Sequence, residues 1–128
     1  MTATTGSEVF LVDSSGWVEF FGASPKGLAF APYLDRDDLL VPTIVIYEVL
    51  KKLTRDSGKT EADRFVSHAL RRVVVPLDRA LAVSAAAVSL DSKLAMADAI
   101  IYATAQAYHA QLVTGDLAFR GLPGVIIP

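Results

Sequence analysis

Five short apolar runs, separated by longer helical patterns, constrain the fold of this sequence more than any other feature. The runs are rich in Val, Leu and Ile and end at turn residues, which is typical of buried strands. They cover residues 9–12, 39–42, 73–76, 111–114 and 125–127. Because strands that alternate with helices favour right-handed βαβ crossovers, we predict an α/β fold with a mainly parallel sheet of four to five strands.

Six helical patterns lie between these runs. They cover residues 15–21, 26–34, 43–56, 60–72, 79–91 and 97–109. The sequence has 128 residues, shows no linker-like or low-complexity stretch, and is long enough to bury a substantial core. We therefore expect a single domain over residues 1–128, in which residues 1–7 form a flexible tail.

The composition excludes several classes of protein. Hydrophobic residues make up 52% of the chain and charged residues 20%, which is too apolar for a disordered segment. The absence of cysteine excludes disulfides, thiolate zinc sites and a cysteine nucleophile. No apolar stretch approaches the roughly 20 residues that span a bilayer, and no basic residue precedes the first apolar run. We expect a cytoplasmic protein with no membrane partner.

Four acidic residues fall where the predicted strands end. Asp13 directly follows the first strand and Asp116 follows the fourth, while Glu48 lies in the early turns of the helix after the second. Asp98 opens the helix that leads into the fourth strand, and such helices run antiparallel to the strands. All four carboxylates are therefore predicted at the carboxyl edge of the sheet, where α/β proteins bind ligands. Whether they converge depends on the strand order, which the pattern leaves open.

Each acid also has a purely structural interpretation. Asp13 and Asp98 could cap helices, Asp116 could shape a turn, and Glu48 could pair with Lys52 one turn later. Taken together, neighbouring carboxylates repel and raise one another's pKa unless a cation is present, which favours a bound metal. Oxygen ligands without His or Cys suit Mg²⁺ or Mn²⁺, and such ions commonly act on phosphates. This chemistry suggests hydrolysis of nucleic acid.

The local contexts of these acids resemble the PIN-domain ribonucleases, in particular the VapC-type toxins of bacterial toxin–antitoxin pairs. The resemblance spans nearly the whole chain. It rests on VFLVDSSGW with Asp13, VPTIVIYEVLKKL with Glu48, MADAIIYATA with Asp98 and LVTGDLAFRGLPGVIIP with Asp116. It implies a PIN-like three-layer α/β/α fold and a toxin with metal-dependent endonucleolytic activity on structured RNA, with tRNA or rRNA as the expected substrates.

The resemblance also implies roles for residues and partners. Asp13, Asp98 and Asp116 would hold Mg²⁺ or Mn²⁺ directly or through water, and Glu48 would complete the catalytic set. The hydroxyl groups of two further residues would support the site through hydrogen bonds; these are Ser15 and Thr114. A cognate VapB-type antitoxin would inhibit the enzyme, and the toxin would form a homodimer.

Basic and aromatic residues supply candidate binding surfaces. The net charge of −2 does not suggest an RNA partner, but bases cluster on the predicted helix of Glu48. Candidate RNA contacts are Lys51, Lys52 and Arg55, although a solvated helix face is an equally good interpretation. In the first helix, candidate antitoxin contacts are Trp17, Phe20 and Phe21, and core packing is the alternative for them.

Two other functions remain open at the level of the sequence. Asp13 after the first strand is compatible with a nucleophile of an α/β phosphohydrolase or phosphoacceptor protein. The haloacid-dehalogenase pattern would place a second Asp two residues later, where this chain has Ser15. A non-catalytic PIN-like module that binds RNA or protein is the other alternative, and the presence of all four acids makes it less favoured.

Overall fold

The computed structural model describes residues 8–128 and contains a five-stranded parallel sheet in the order β3-β2-β1-β4-β5. The predicted tail, residues 1–7, lies outside the described residues. The strands are β1 (Phe10–Val12), β2 (Leu40–Pro42), β3 (Val73–Val75), β4 (Gln111–Val113) and β5 (Val125–Ile126). The helices are α1 (Ser14–Phe21), α2 (Ala31–Leu34), α3 (Thr43–Ser57), α4 (Lys59–Ala69), α5 (Arg79–Ser92) and α6 (Met96–Ala107).

The direction in which the chain crosses the sheet determines where the helices lie. From β1 the chain proceeds outward through β2 to β3, and then returns across the sheet to β4 and β5. Since parallel crossovers are right-handed, the outward helices α1, α3 and α4 cover one face, and the return pair α5 and α6 covers the other. The predicted α/β fold with a mainly parallel sheet is confirmed, and all five strands match their predicted positions closely.

One predicted helix differs from the structure in type, and another ends earlier than predicted. The segment predicted as one helix over 26–34 consists of a 3-10 helix, Pro25–Phe30, followed by α2. The 3-10 helix lies against α1 so closely that a Cβ at Gly27 would be 2.5 Å from the carbonyl oxygen of Glu19. The helix predicted over 60–72 ends at Ala69, because the chain turns there to enter β3.

The apolar face of α1 forms part of the hydrophobic core. The side chain of Trp17 is 0% exposed and that of Phe21 is 7% exposed. Their rings pack against Phe65 and His68 of α4, with centroids between 5.3 and 5.9 Å apart. This burial corrects the expectation that Trp17 and Phe21 form an antitoxin-binding surface, since neither is accessible. Phe20 is only partly buried.

The helices α5 and α6 pack against each other on the return crossover. In α6 seven consecutive residues are buried, from Ala99 to Ala105, and small side chains there allow close contact with α5 and the sheet. Among residues 8–128, no single helix is long and apolar enough to cross a membrane, although α5 and α6 reach the required length and composition as a pair bent by 113°.

Candidate active site

The strand order brings together two of the predicted acidic segments. The chain reverses its direction of travel between β1 and β4, which lie side by side, and such reversals open a crevice at the carboxyl edge of a parallel sheet. The backbone N–H of Asp13 donates to the carbonyl of Val113 at 3.1 Å. Asp13 therefore lies beside the segment Thr114–Asp116, which follows β4.

Asp13 is a buried carboxylate that accepts three hydrogen bonds. Its Oδ1 accepts hydrogen bonds from the hydroxyl of Ser15 at 2.6 Å and from the N–H of Gly16 at 3.3 Å. Its Oδ2 accepts from the hydroxyl of Thr114 at 2.7 Å. The pKa of Asp13 is raised, mainly by burial. The three hydrogen bonds lower it in part, and the charge of Asp116 adds a smaller increase. The cap interpretation is also correct, because the Gly16 contact caps α1.

The two hydroxyl groups also bind the loop after β4. Thr114 Oγ1 accepts a hydrogen bond from the N–H of Asp116 at 2.8 Å, and Ser15 Oγ accepts from the N–H of Gly115 at 3.1 Å. Both side chains therefore donate to Asp13 and accept from a neighbouring amide. Through them, the position of Asp116 is linked to that of Asp13. The side chain of Asp116 itself caps the 3-10 helix Leu117–Phe119 by accepting from the Ala118 N–H.

The side chain of Glu48 is hydrogen-bonded to a residue of α1 and not to a residue of its own helix. The hydroxyl of Ser14 donates to Glu48 Oε1 at 2.5 Å, which joins residues 34 positions apart in the sequence. The alternative pairing with Lys52 is not formed, since Lys52 contacts Asp56 at 3.8 Å. Ser14 was not identified from the sequence as a residue of the site. No local pattern in the sequence reveals this contact, because it depends on how α1 packs against α3.

Asp98 lies in the first turn of α6, three residues after the N-cap Ala95, and is not itself the cap. Among residues 8–128, no group donates a hydrogen bond to its half-buried carboxylate. Burial raises the pKa of Asp98 from 3.8 to about 6, and the charges of Asp116, Glu48 and Asp13 contribute in that order. All three other acids are thus close enough to act on Asp98, so the structure brings the four together.

The four carboxylates lack a basic counterpart within the described chain. The ion pairs there involve other acids: Asp38, Asp56, Asp63 and Glu61. Residues 8–128 contain no group of three acidic or histidine side chains placed tightly enough to enclose a metal ion directly. The set nevertheless fits Mg²⁺, because this ion binds a few carboxylates and keeps several of its waters, which can bridge to more distant oxygens. A cation would also offset the burial and the repulsion that together raise the pKa of Asp98.

A cleft of about 550 Å³ extends from the acids. One wall is formed by α1 and the adjoining 3-10 helix, and the opposite wall by α3. Ser14, Glu48 and Gly115 line its acidic end. Farther along, it is lined by the three predicted RNA-binding residues, Lys51, Lys52 and Arg55. Lys26, on the opposite wall, was not identified from the sequence, because nothing in the sequence places the segment after α1 opposite α3.

Comparisons with known proteins agree with this architecture. The sequence profile of the PIN domain matches residues 10–125. The structure resembles a chain from a toxin–antitoxin complex of Klebsiella pneumoniae, at 23% identity with a TM-score of 0.80 over 93% of this chain and 97% of that one. It also resembles VapC20 of Mycobacterium tuberculosis, described as a toxin that cleaves the sarcin–ricin loop, at 16% identity with a TM-score of 0.77 over 94% and 100%.

A third similar structure is DNA-bound VapBC of Salmonella typhimurium, at 17% identity with a TM-score of 0.72 over 94% of this chain and 97% of that one. No curated protein sequence matches the chain significantly. At these identities the structural likeness establishes the fold, which is that of VapC-like toxins. The family itself follows from the profile match, which covers most of the sequence.

Proposed function

Because the chain belongs to the PIN-domain family, a family of nucleases, we propose that it is a VapC-type toxin, a metal-dependent endoribonuclease that cleaves structured RNA. The expected substrates are tRNA or rRNA, and a similar fold in a toxin described as cleaving the sarcin–ricin loop supports this class. One observation carries the proposal. Four acids lie near one another at one edge of the sheet, and none of them has a basic partner among the described residues.

The four acids have different roles in the proposed mechanism, which follow from their surroundings. Asp13, Asp98 and Asp116 would hold Mg²⁺ or Mn²⁺, directly or through water. When bound, such an ion supplies Lewis acidity toward the phosphate and favours an ionised water. Glu48, oriented by Ser14, positions the attacking water and accepts its proton.

The hydroxyls of Ser15 and Thr114 support this site by fixing Asp13. Each donates to a different oxygen of the carboxylate, which favours its ionised form against the effect of burial. The alternative in which Asp13 is a nucleophile lacks the second Asp of the haloacid-dehalogenase pattern. Ser15 occupies that position and donates a hydrogen bond to Asp13.

The proposal includes partners. Similar folds occur in toxin–antitoxin complexes, which supports a cognate VapB-type antitoxin as the inhibitor. The homodimer is proposed from the resemblance to VapC-type toxins alone. Of the three aromatic residues of α1, Phe20 alone is partly exposed and remains a candidate antitoxin contact. We further propose that the protein acts in the cytoplasm as a single domain.

The decisive variant for the cleavage test is Asp98→Asn, because the substitution keeps the side-chain size and removes no hydrogen bond within the described chain. Asp91→Asn is the matched control, since Asp91 is an exposed carboxylate a few residues away at the end of α5. Antitoxin-free protein is incubated with a cellular RNA pool and a tRNA-rich fraction, with Mg²⁺, with Mn²⁺ or with EDTA.

We expect discrete cuts that disappear with EDTA, fall at least about a hundredfold with Asp98→Asn and persist with Asp91→Asn. Equal cleavage by Asp98→Asn would reject the acidic site. If folded, antitoxin-free protein cuts no RNA with either ion but hydrolyses a phosphomonoester, a phosphohydrolase would replace the ribonuclease. If it does neither and still binds RNA, the chain would be a non-catalytic binding module.

A further inference from the structure

An exposed aromatic ring lies in the cleft beside the candidate active site. Tyr47 of α3 immediately precedes Glu48, lines the cleft and is 59% exposed. The ammonium group of Lys51, one turn later on the helix, is 5.7 Å from the centre of its ring. A flat aromatic face and an adjacent cation are therefore available to a ligand next to Glu48.

The free positive charge in this cleft comes from two opposite walls. Lys51 on α3 and Lys26 on the 3-10 helix form no ion pair within residues 8–128. In contrast, Lys52 and Arg55 both contact Asp56, at 3.8 and 2.8 Å, which partly neutralises them. Lys51 and Lys26 are thus the stronger candidates for binding a phosphate.

Charge changes sign along the cleft. Glu48 marks the acidic end, while Lys51 and Lys52 lie one helical turn away and Arg55 two turns away, at about 10 Å along the helix. The one other acid in the lining, Glu19, accepts a hydrogen bond from the Ser24 hydroxyl. An anionic chain whose reacting phosphate lies at the metal site would therefore continue along the basic part of the cleft.

From this arrangement we propose that the cleft is a subsite for an unpaired nucleotide next to the scissile phosphate, whose base stacks on Tyr47 and whose phosphate is bound by Lys51 and Lys26. The proposal rests on the proposed function and adds a substrate requirement to it. Bases in a duplex are covered on both faces by their neighbours, so only an unpaired base can stack on a protein ring. The volume of the cleft is adequate for such a ligand.

Exposed aromatic residues are common on protein surfaces and usually have no function. Tyr108, at the end of α6, is such a residue, and with 46% exposure it serves as the matched control. What distinguishes Tyr47 is its position within a cleft, beside Glu48 and an unpaired lysine. The test must therefore compare the two tyrosines under identical conditions.

Binding is measured with protein carrying Asp98→Asn, so that RNA is not consumed. The probe is a short mixed-sequence single-stranded RNA containing 2-aminopurine, used alone and annealed to its complement. We expect Tyr47→Ala to weaken binding of the single strand about tenfold and to abolish the stacking-dependent quenching of 2-aminopurine. Tyr47→Phe keeps the ring, so we expect it to retain both the affinity for the single strand and the quenching. We expect Tyr108→Ala to change neither quantity. Duplex binding is unaffected by all three substitutions.

The charge of the subsite is tested by Lys51→Gln and Lys26→Gln, with the exposed Lys59→Gln as control. The first two weaken binding and reduce its dependence on salt concentration, and the control does not. Unchanged single-strand binding by Tyr47→Ala, or equal loss with Tyr47→Phe, would overturn the subsite. In that case cleavage by the wild-type protein would still stand, so failure of the subsite is separable from failure of the proposed function.

Discussion

The two sides of α1 contribute to regions of opposite character. Its first turn presents Ser14 and Ser15 to the acidic edge, where a buried carboxylate is surrounded by hydrogen-bond donors. Its apolar face places Trp17 and Phe21 in an aromatic cluster with α4. Burial stabilises the cluster because it removes apolar surface from water, whereas at the acidic edge burial raises the free energy of charged groups.

This contrast means that loss of an aromatic ring from the core and loss of the Asp98 charge should change stability in opposite directions. Loss of an aromatic ring removes favourable packing. Loss of the Asp98 charge removes desolvation and repulsion without breaking a hydrogen bond, so it should stabilise the metal-free fold. The acidic edge is thus arranged for a ligand at the expense of the folded protein's own stability.

The largest expected effect on stability is that of Trp17→Ala. The ring is fully buried and packs on Phe21, Phe65 and His68, so its removal leaves a cavity in the core. We expect a loss of about 3 to 5 kcal/mol in the free energy of unfolding, measured by urea denaturation. A loss below about 1 kcal/mol would show that the aromatic cluster does not form.

An intermediate effect is expected for Thr114→Val. The substitution leaves Asp13 Oδ2 and the N–H of Asp116 without their hydroxyl partner, and should cost about 1 to 3 kcal/mol. Thr104→Val is a matched control, since Thr104 is equally buried but donates only to the Ile100 carbonyl of its own helix. Equal thermal destabilisation by the two substitutions would contradict the linking role of Thr114.

The smallest effect, opposite in sign, is expected for Asp98→Asn in the absence of divalent ions. The pKa of Asp98 is about 6 in the folded protein against an ordinary 3.8. Between about pH 4 and pH 6 the folded protein therefore keeps the Asp98 proton that the unfolded chain has lost. Stability of the wild-type protein should therefore decrease as the pH rises from about 4 to about 6. At neutral pH the variant should be more stable by about 1 kcal/mol, after allowance for solvent screening, or roughly 3 to 5 °C in Tm.

Thermal melts of both proteins across this pH range provide the measurement. Asp91→Asn controls for a simple change in net charge, because Asp91 is exposed. If Asp98→Asn lowers Tm at neutral pH without metal, or leaves the pH dependence unchanged, burial and the neighbouring acids do not destabilise the charged form of Asp98.

Local patterns in the sequence predicted most of the fold. β-Branched runs bounded by turn residues identify strands directly, and the alternation with helices predicts a parallel sheet. The four acids were placed at one edge by the same argument. Their lateral convergence required the order of β1 and β4, which depends on long-range pairing such as that between Leu11 and Leu112.

Other features could not be predicted from local patterns. An aromatic-rich helix does not reveal whether another helix will cover it, so the sequence leaves Trp17 and Phe21 open to a partner surface or to core packing. In the structure Phe65 of α4 covers both. Similarly, the bond between Ser14 and Glu48 depends on how α1 crosses α3. Both contacts join segments more than 30 residues apart.

The central claim is that Asp13, Asp98 and Asp116 form a site for a divalent ion beside Glu48, and binding of Mn²⁺ tests it without reference to catalysis. Isothermal titration of the antitoxin-free protein, with thermal melts in parallel, compares wild type, Asp98→Asn and Asp91→Asn. We predict saturable binding and an increase in Tm for wild type and Asp91→Asn, and the loss of both for Asp98→Asn. Equal binding of Mn²⁺ by all three proteins would contradict the account.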